Sequence, residues 1–198
     1  MTASAPALRA DARRNRERIL LAAAEMFGEC GVDVQIVDIA ARAGVGTGTL
    51  YRHFSTKDEL IYAVVNTWFE DLFAVVETCA SIPDAATAFR SFFAELCACA
   101  AEAAPLARAL HTPLTTMPRP VPAERRVVEV MGDVLRRAQR EGVVRADIVA
   151  EDLPPLLAVV ENAARDDLYA HRQWQRYMTI LFDGISSPLA SPLEPRVQ

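Results

Sequence analysis

The chain has 198 residues, with eight glycines, a hydrophobic fraction of 52% and a formal net charge of −5 at neutral pH. That length allows one large or two small domains with a well-buried core. The sequence excludes a membrane-spanning helix, because no run of about 18 apolar residues occurs. Alternation typical of strands is sparse, so we expect an all-α, cytoplasmic protein of about nine helices.

The acidic net charge is not spread evenly along the chain. Residues 1–60 carry eight basic and eight acidic side chains, whereas residues 61–198 carry thirteen and eighteen. Five arginines lie near the start, at positions 9, 13, 14, 16 and 18. An arginine that reaches a phosphate adds salt-sensitive affinity for DNA. We expect residues 1–11 to be a disordered arm. We also expect these arginines, Arg14 among them, to lie along a DNA backbone. The alternative for the arginines is that they belong to a solvated, disordered terminus.

The first two helices are predicted from their apolar spacing. The first would run from about Ala12 to Cys30 and end at Gly31. The second has an apolar stripe at positions 36, 39, 40 and 43. Gly44 should end it, because glycine tolerates the left-handed conformation that a helix C-cap needs. Two short helices joined by such a turn are typical of a helix-turn-helix.

The third helix has an outward face that a protein core does not need. Leu50 and Phe54, four residues apart, form its inward side, and Thr47 is its expected N-cap. The outward side chains are hydroxyl, aromatic and basic groups: Thr47, Gly48, Thr49, Tyr51, Arg52 and His53. A DNA major groove can accept such a set, because base edges and phosphates bind hydroxyl groups, arginine and aromatic rings.

The fourth helix is long enough to join two domains. Ser55 or Thr56 should cap it, and it should run from Lys57 to about Thr78. Lys57 lies beside the positive end of the helix dipole, which is unfavourable unless a phosphate binds there. A solvated surface lysine is the alternative.

Five more helices are expected beyond residue 80, and a proline-rich stretch at 112–122 cannot be a regular helix. Helix five opens at Pro83-Asp84, helix six at Pro105, helix seven follows Pro122 and ends near Glu141, helix eight begins near Glu151, and helix nine runs from about His171 to Gly184. The tail after Ser186 is expected to fray.

The four cysteines, Cys30, Cys79, Cys97 and Cys99, do not suggest a disulfide framework in a chain of this length. Cys97-Ala-Cys99 is not a zinc spacing and has no histidine nearby. We interpret all four as small apolar packing residues, with a redox sensor as the minor alternative. No metal or other cofactor is expected.

One run of residues carries a family resemblance: Ile39-Ala40-x-x-Ala43-Gly44-Val45-x-x-Gly48-Thr49-Leu50-Tyr51-x-His53-Phe54-x-x-Lys57-x-x-Leu60. It closely resembles the DNA-binding domain of TetR-type transcriptional repressors, and residues 18–31 resemble that family's first helix. The resemblance implies base-edge contacts from Thr47, Gly48 and Tyr51. It implies phosphate contacts from Thr49, Arg52, His53 and Lys57.

Three positions before the glycine turn depart from the family pattern. Gln35, predicted to touch DNA, is a poorer helix cap than the threonine or serine that relatives often carry there. Ile36 cannot donate a hydrogen bond to phosphate. Val37 would face the groove but could make only apolar contact, so the operator sequence cannot be transferred from a relative.

The resemblance also implies an effector site and a dimer interface in the remaining helices. The predicted ligand-binding residues, for a small apolar or aromatic molecule, are Trp68, Phe69, Phe89, Phe93, Leu110, His111, Met131 and Asn162. The predicted dimer contacts are Leu156, Val160, Tyr177, Met178, Leu181 and Phe182. A packed core without a ligand, and packing within one chain, are the respective alternatives.

The predicted organisation is a disordered arm (1–11), a helix-turn-helix DNA-binding domain (12–56), a ligand-binding and dimerisation domain (57–186) and a flexible tail (187–198). The favoured function is a homodimeric, ligand-responsive repressor of palindromic double-stranded DNA. A helical small-molecule-binding protein without DNA binding is one alternative. An all-α enzyme is less favoured, because the sequence has no paired carboxylates in an apolar setting, metal spacing or nucleophile motif.

Overall fold

The computed structural model describes residues 5–110, 121–165 and 174–186, together with residues 191 and 193. Within those ranges all regular structure is helical, as predicted. The helices are α1 (Ala5–Cys30), α2 (Ile36–Arg42), α3 (Thr47–His53), α4 (Lys57–Ala80), α5 (Ala85–Glu102), α6 (Ala104–Ala109), α7 (Pro122–Arg140), α8 (Leu153–Arg165) and α9 (Trp174–Ser186). A short 3₁₀ helix, Ala150–Asp152, leads into α8.

Helix α1 begins at Ala5, seven residues before the predicted start. The expected disordered arm is therefore wrong for residues 5–11. This segment lacks glycine and is rich in alanine, the best helix former, and its one proline lies in the first turn, where proline is tolerated. Arg14 pairs with Asp11 one turn earlier, and Arg13 lies 3.5 Å from Glu17. These pairs add local support to the helix.

The helix-turn-helix has the predicted order, with one correction. Gly44 has a φ of 63°, as its predicted role in the turn requires. Thr47 is not the N-cap of α3 but its first helical residue. Gly46 takes the cap position in extended conformation, and its carbonyl accepts from the amides of Thr49 and Leu50, at 2.8 and 3.2 Å.

Helix α4 joins the helix-turn-helix to the rest of the molecule. Its buried residues, Leu60, Val64, Val65, Phe69, Leu72, Val76 and Cys79, follow one face along all 24 residues. A helix of that length spans about 36 Å. It packs against α1, α5 and α7, so a single core cluster extends from Ile19 in α1 to Ile185 in α9.

The far end of α4 is fastened by an arginine of α7. The Arg137 guanidinium donates to the carbonyl oxygens of Ala80, at 3.2 Å, and Ile82, at 2.8 Å. Nearer the middle of α4, Asn66 accepts from the amide of Ala123 at 3.3 Å. These bonds hold α7 along α4 by polar contacts as well as by apolar packing.

The described cysteines are all free thiols. Cys79 and Cys97 are buried, and burial raises the pKa of the Cys97 thiol to about 12. Burial and nearby carboxylates raise the pKa of the half-buried Cys99 to about 11, so both thiols stay protonated and unreactive near neutral pH. Cys30 is exposed, against the expectation that it packs inward.

No helix in the described ranges is long and apolar enough to cross a membrane. Two residues of the predicted flexible tail contact the loop between α7 and α8. The carbonyl of Ser191 accepts from Arg145 at 2.5 Å, and the amide of Leu193 donates to Asp147 at 3.2 Å. Because Arg145 hydrogen-bonds Asp147, the pKa of that carboxyl lies well below its usual range.

Candidate DNA-binding face and ligand cavity

Helix α3 is oriented by its buried side. Leu50 is fully buried and Phe54 nearly so, both in the core cluster with Ile39 of α2. A seven-residue helix fixed along one side must present its other side outward. The sequence predicted this division correctly.

Two large hydrophobic side chains of the helix-turn-helix are exposed to solvent. Tyr51 is 50% exposed and Val37, on α2, is 56% exposed. Gly48 and Arg52 are exposed as well, and Thr47, Thr49, His53 and Lys57 are half-buried. No heavy atom lies within 4 Å of the position that a Cβ on Gly48 would take. The predicted contact residues of α3 therefore lie around an open surface.

Two of the predicted phosphate-binding residues are joined to each other. Arg52 donates from Nε to the carbonyl of Gly48, at 3.2 Å, and from Nη2 to the hydroxyl of Thr49, at 3.1 Å. The guanidinium thus lies along α3 instead of extending freely into solvent. Such a side chain loses less rotamer freedom when it binds a phosphate.

The turn into α4 is closed by a set of caps beside Lys57. The Thr56 hydroxyl accepts from the Glu59 amide at 3.1 Å, as expected of one of the two candidate caps. The Glu59 carboxylate accepts from the Ser55 hydroxyl, at 2.7 Å, and from the Ser55 amide, at 2.8 Å. These bonds lower the pKa of Glu59. Lys57, the only lysine in the sequence, is the first residue of the helix thus fixed.

Sequence reasoning missed that two α1 arginines hold the helix-turn-helix in place. Arg18 donates to the carbonyl of Gly44 at 3.1 Å. The guanidinium of Arg16 lies 5.4 Å from the centre of the Phe54 ring. The sequence predicts instead that both lie along a DNA backbone, as part of the arginine run. Only the tertiary fold reveals these partners, because they lie 26 and 38 positions further along the sequence.

The other predicted DNA contacts lie at the edges of this face. Arg14 is exposed on α1 and paired with Asp11. Gln35 is exposed and makes no side-chain cap bond to α2, as its poor capping chemistry predicts. Its amide group donates instead to the carbonyl of Asp33 at 3.3 Å.

The described members of the predicted ligand-binding set do not line one common cavity. Phe69, Phe89, Phe93 and Met131 are all nearly or fully buried in the core cluster, so for them the structure favours the alternative of a packed core. Asn162 is exposed on α8, Leu110 is half-buried at the end of a described range, and His111 lies outside the described residues. Of the described members of this set, Trp68 alone lines a separate cavity of about 1040 Å³, formed where α1, α4 and α6 meet.

The predicted dimer contacts divide into two groups. Val160 is fully buried in its own chain, so its assignment to an intermolecular contact is wrong. The ring of Phe182 lies 6.0 Å from that of Phe89 and 5.8 Å from that of Phe93, mainly as part of its own core. The half-buried remainder are Leu156, Tyr177, Met178 and Leu181.

Two exposed aliphatic residues on the same helices were missed. Val159 on α8 is 49% exposed and Ile180 on α9 is 57% exposed. In the sequence, both residues lie beside the main apolar stripe of their helices. Because these helices are apolar over most of their circumference, the sequence does not show which side is buried within the same chain.

Helices α1 to α3 form a three-helix domain with α3 facing outward, which we call the head, and the later helices form the body. This arrangement is typical of helix-turn-helix regulators. Residues 19–64 match the family model described as bacterial regulatory proteins of the tetR family. Residues 84–187, more than half of the chain, match the model of the SbtR-like transcriptional regulator C-terminal domain. The chain belongs to the TetR family of bacterial transcriptional regulators, as the sequence resemblance implied.

Individual relatives agree with this assignment. An HTH-type transcriptional regulator of Staphylococcus aureus (strain USA300) is 46% identical over 59 residues, which are 29% of this chain and 32% of that protein. This chain thus spans about a third of the length of the curated relatives that it matches. A TetR transcription regulatory protein from Mycobacterium vanbaalenii is 32% identical, with a TM-score of 0.63 over 91% of this chain and 99% of that one. The regulator SCO0520 from Streptomyces coelicolor is 28% identical, with a TM-score of 0.63 over 87% and 99% of the two chains.

Proposed function

We propose that this protein is a homodimeric repressor that binds palindromic double-stranded DNA through α3 and is released by a small-molecule effector. The observation that carries the proposal is the outward face of α3: Tyr51 is half exposed while Leu50, beside it, is fully buried. Val37 and Tyr51 would gain apolar contact with thymine methyl groups or sugars in a major groove. Such a protein acts where the bacterial chromosome lies, in the cytoplasm.

The proposed DNA contacts follow from where each side chain lies on α3 and at the start of α4. Thr47, Gly48 and Tyr51 lie on the exposed side of α3 and would approach base edges, with Gly48 permitting close approach of the backbone. The Arg52–Thr49 pair would bind phosphate through the guanidinium protons that face away from the protein. Lys57 would bind a phosphate beside the capped end of α4.

Two copies are required, because one short recognition helix reads too few bases. The exposed Val159 and Ile180 on α8 and α9 support pairing of these helices with their counterparts in a second copy. The heads would then lie about 34–36 Å apart, in successive major grooves. Since α4 is continuous from the head to the body, a ligand that moves α4 would change this spacing and weaken binding.

The central test is DNA affinity as a function of salt, measured by fluorescence anisotropy on a duplex from the region upstream of the protein's own gene. Tyr51→Ala should weaken binding about tenfold or more, in line with the about 1–3 kcal/mol of a specific contact. Lys57→Ala should lower the slope of log affinity against log salt by about one unit. Arg140→Ala, which removes an exposed cation at the end of α7, is the charge-matched control and should change neither quantity.

A second readout uses the chemistry of the single lysine. Mild acylation should modify the ε-amine of Lys57 alone among the side chains, and bound DNA should slow that reaction several-fold. Unchanged DNA affinity of both Tyr51→Ala and Lys57→Ala at low salt, with no protection of Lys57, would contradict the proposed face. A wild-type protein with no salt-dependent DNA affinity would instead favour the alternative of a ligand-binding protein without DNA binding.

A further inference from the structure

The cavity of about 1040 Å³ lies on the outer side of α1, where that helix meets α4 and the segment from the end of α5 to α6. We call it the seam cavity. It joins the helix-turn-helix head to the body, and it is separate from the buried aromatic residues that the sequence suggested for an effector. Its volume is at the upper end of that of small-molecule sites.

The floor of the seam cavity is apolar and partly uncovered. Leu20, Leu21, Trp68, Pro105 and Leu106 line it. Leu21 is 64% exposed although it lies in the middle of a 26-residue helix, and Trp68 is half-buried. A flat apolar molecule lying here would cover both side chains, and covering apolar surface is favourable by about 25 cal/mol per Å².

The rim of the seam cavity is acidic. Six carboxylates line it against three arginines. Glu17 lies 3.5 Å from Arg13, while Glu25 and Glu29 pair with Arg42 of α2.

Asp71 of α4 and Glu102 of α5 differ from these paired carboxylates. Within the described ranges, neither forms an ion pair or side-chain hydrogen bond. Both line the seam cavity, Asp71 from α4 and Glu102 from the end of α5. Beside an apolar floor, the excess of carboxylates over arginines in the lining makes the local potential negative.

We propose that the seam cavity binds an amphipathic organic cation, with its apolar, aromatic body against Leu21 and Trp68 and its cationic group facing Asp71 and Glu102. An aromatic indole beside the cation adds a further attraction. This inference goes beyond the proposed DNA binding, because ligand binding is measured on the protein alone.

The position of the seam cavity suggests what the bound cation does. At its edge α1 and α6 approach closely, since a Cβ on Gly28 would lie 3.3 Å from Cβ of Pro105. A molecule wedged beside this contact would change the angle between α1 and α6. Because Arg18 of α1 holds the turn at Gly44, the head would follow α1.

The test compares two xanthene dyes of opposite charge, rhodamine 6G and fluorescein, by fluorescence polarisation on the full chain without DNA. Rhodamine 6G should bind at least tenfold more tightly than fluorescein. Asp71→Asn combined with Glu102→Gln should weaken rhodamine 6G about tenfold, as expected for loss of two partly solvated charge contacts. Glu77→Gln combined with Glu129→Gln, two exposed carboxylates that do not line the cavity, should leave its affinity unchanged.

A location-specific readout separates the seam cavity from other surfaces. The sequence has two tryptophans, so Trp174→Phe leaves Trp68 as the only indole, and bound rhodamine 6G should quench its emission. Circular dichroism melts establish that each variant is folded. Equal binding of the two dyes, wild-type affinity in the Asp71/Glu102 variant, or an unquenched Trp68 would each overturn the proposal.

Discussion

Gly44 is the residue on which the helix-turn-helix depends most directly. Its φ of 63° is one that side-chain-bearing residues rarely adopt. A Cβ at this position would also overlap Nη2 of Arg18, whose guanidinium donates to the Gly44 carbonyl. One methyl group would therefore strain the turn and displace the arginine that holds it.

We expect Gly44→Ala to destabilise the protein by about 1–3 kcal/mol, from left-handed strain and the displaced hydrogen bond. Urea unfolding followed by circular dichroism measures this. Gly48→Ala is the control, because its φ is ordinary and its surroundings are open; it should be neutral or stabilise by up to about 1 kcal/mol. Equal stability of Gly44→Ala and wild type would show that the turn tolerates a side chain.

Gly48 allows folding and DNA binding to be separated. A glutamate there gains helix propensity and lies in the first turn of α3, which carries no acidic residue. Gly48→Glu should therefore be at least as stable as wild type while its DNA affinity falls tenfold or more, because a carboxylate at the proposed contact surface would be repelled by the negatively charged DNA. Thermal melts and anisotropy measure the two effects, with Gly48→Ala as the uncharged control. An unstable variant, or one with wild-type affinity, contradicts the placement of Gly48.

Among single residues, local chemistry made some roles predictable and others not. Gly44 was predicted, and Thr56 was one of two candidate caps, because a C-cap and an N-cap are determined by neighbours within one turn. The roles of Arg16 and Arg18 were missed because an arginine near a terminus can reach DNA or its own protein equally well. Only the packing of α1 against α2 and α3 decides between these outcomes.

The first turn of α4 is stabilised by charge-assisted caps that depend on pH. Hydrogen bonds from Ser55 lower the pKa of Glu59 from its ordinary 4.5. A carboxyl whose pKa is lowered by folding stabilises the fold above its unfolded pKa, and that stabilisation is lost as pH falls through the folded value.

We expect Glu59→Gln to be less stable than wild type at pH 7 and the difference to shrink as the pH falls below 4.5. Urea midpoints between pH 7 and pH 3 measure it. Glu77→Gln, an exposed carboxylate later on α4, should show little difference at any pH. A gap that stays constant through the acid range would mean that the Glu59 charge plays no part in the cap.

Helices were predicted better in their centres than at their ends. The apolar stripe of α4 and the glycine stops of α1, α2 and α7 were local signals, and the structure has them. The start of α1 was missed by seven residues, because alanine and arginine favour both a helix and a solvated terminus. The N-cap of α3 differed by one residue, since Gly46 and Thr47 are both acceptable caps.

At the level of the whole molecule, the exposed aliphatics of α8 and α9 lead to an expectation about assembly. Val159→Glu and Ile180→Glu place charges on the proposed interface and should convert the proposed dimer to monomers, with DNA affinity falling because one head would bind alone. Sedimentation velocity gives the mass. Leu21→Glu, an equally exposed aliphatic on α1, is the matched control and should remain dimeric.

The all-helical architecture was predictable from periodicity, whereas the seam cavity was not. Its walls come from α1, α4 and α6, which are separated by dozens of residues. The aromatic residues chosen from sequence, such as Phe89 and Phe93, are instead part of the filled core. Aromatic bulk in a sequence does not distinguish a filled core from a cavity, because the two differ only in how the helices meet.

The single lysine has a practical consequence for studying this molecule. A lysine-specific protease has one cleavage site in the sequence, after Lys57, and would produce fragments of 57 and 141 residues. That site lies in the first turn of α4, inside the hydrogen-bonded turn formed by Ser55, Thr56 and Glu59. The rate of this one cut would therefore measure how often the turn opens. Because this turn connects the head to the body, a gel of the digest would report how firmly that connection is closed.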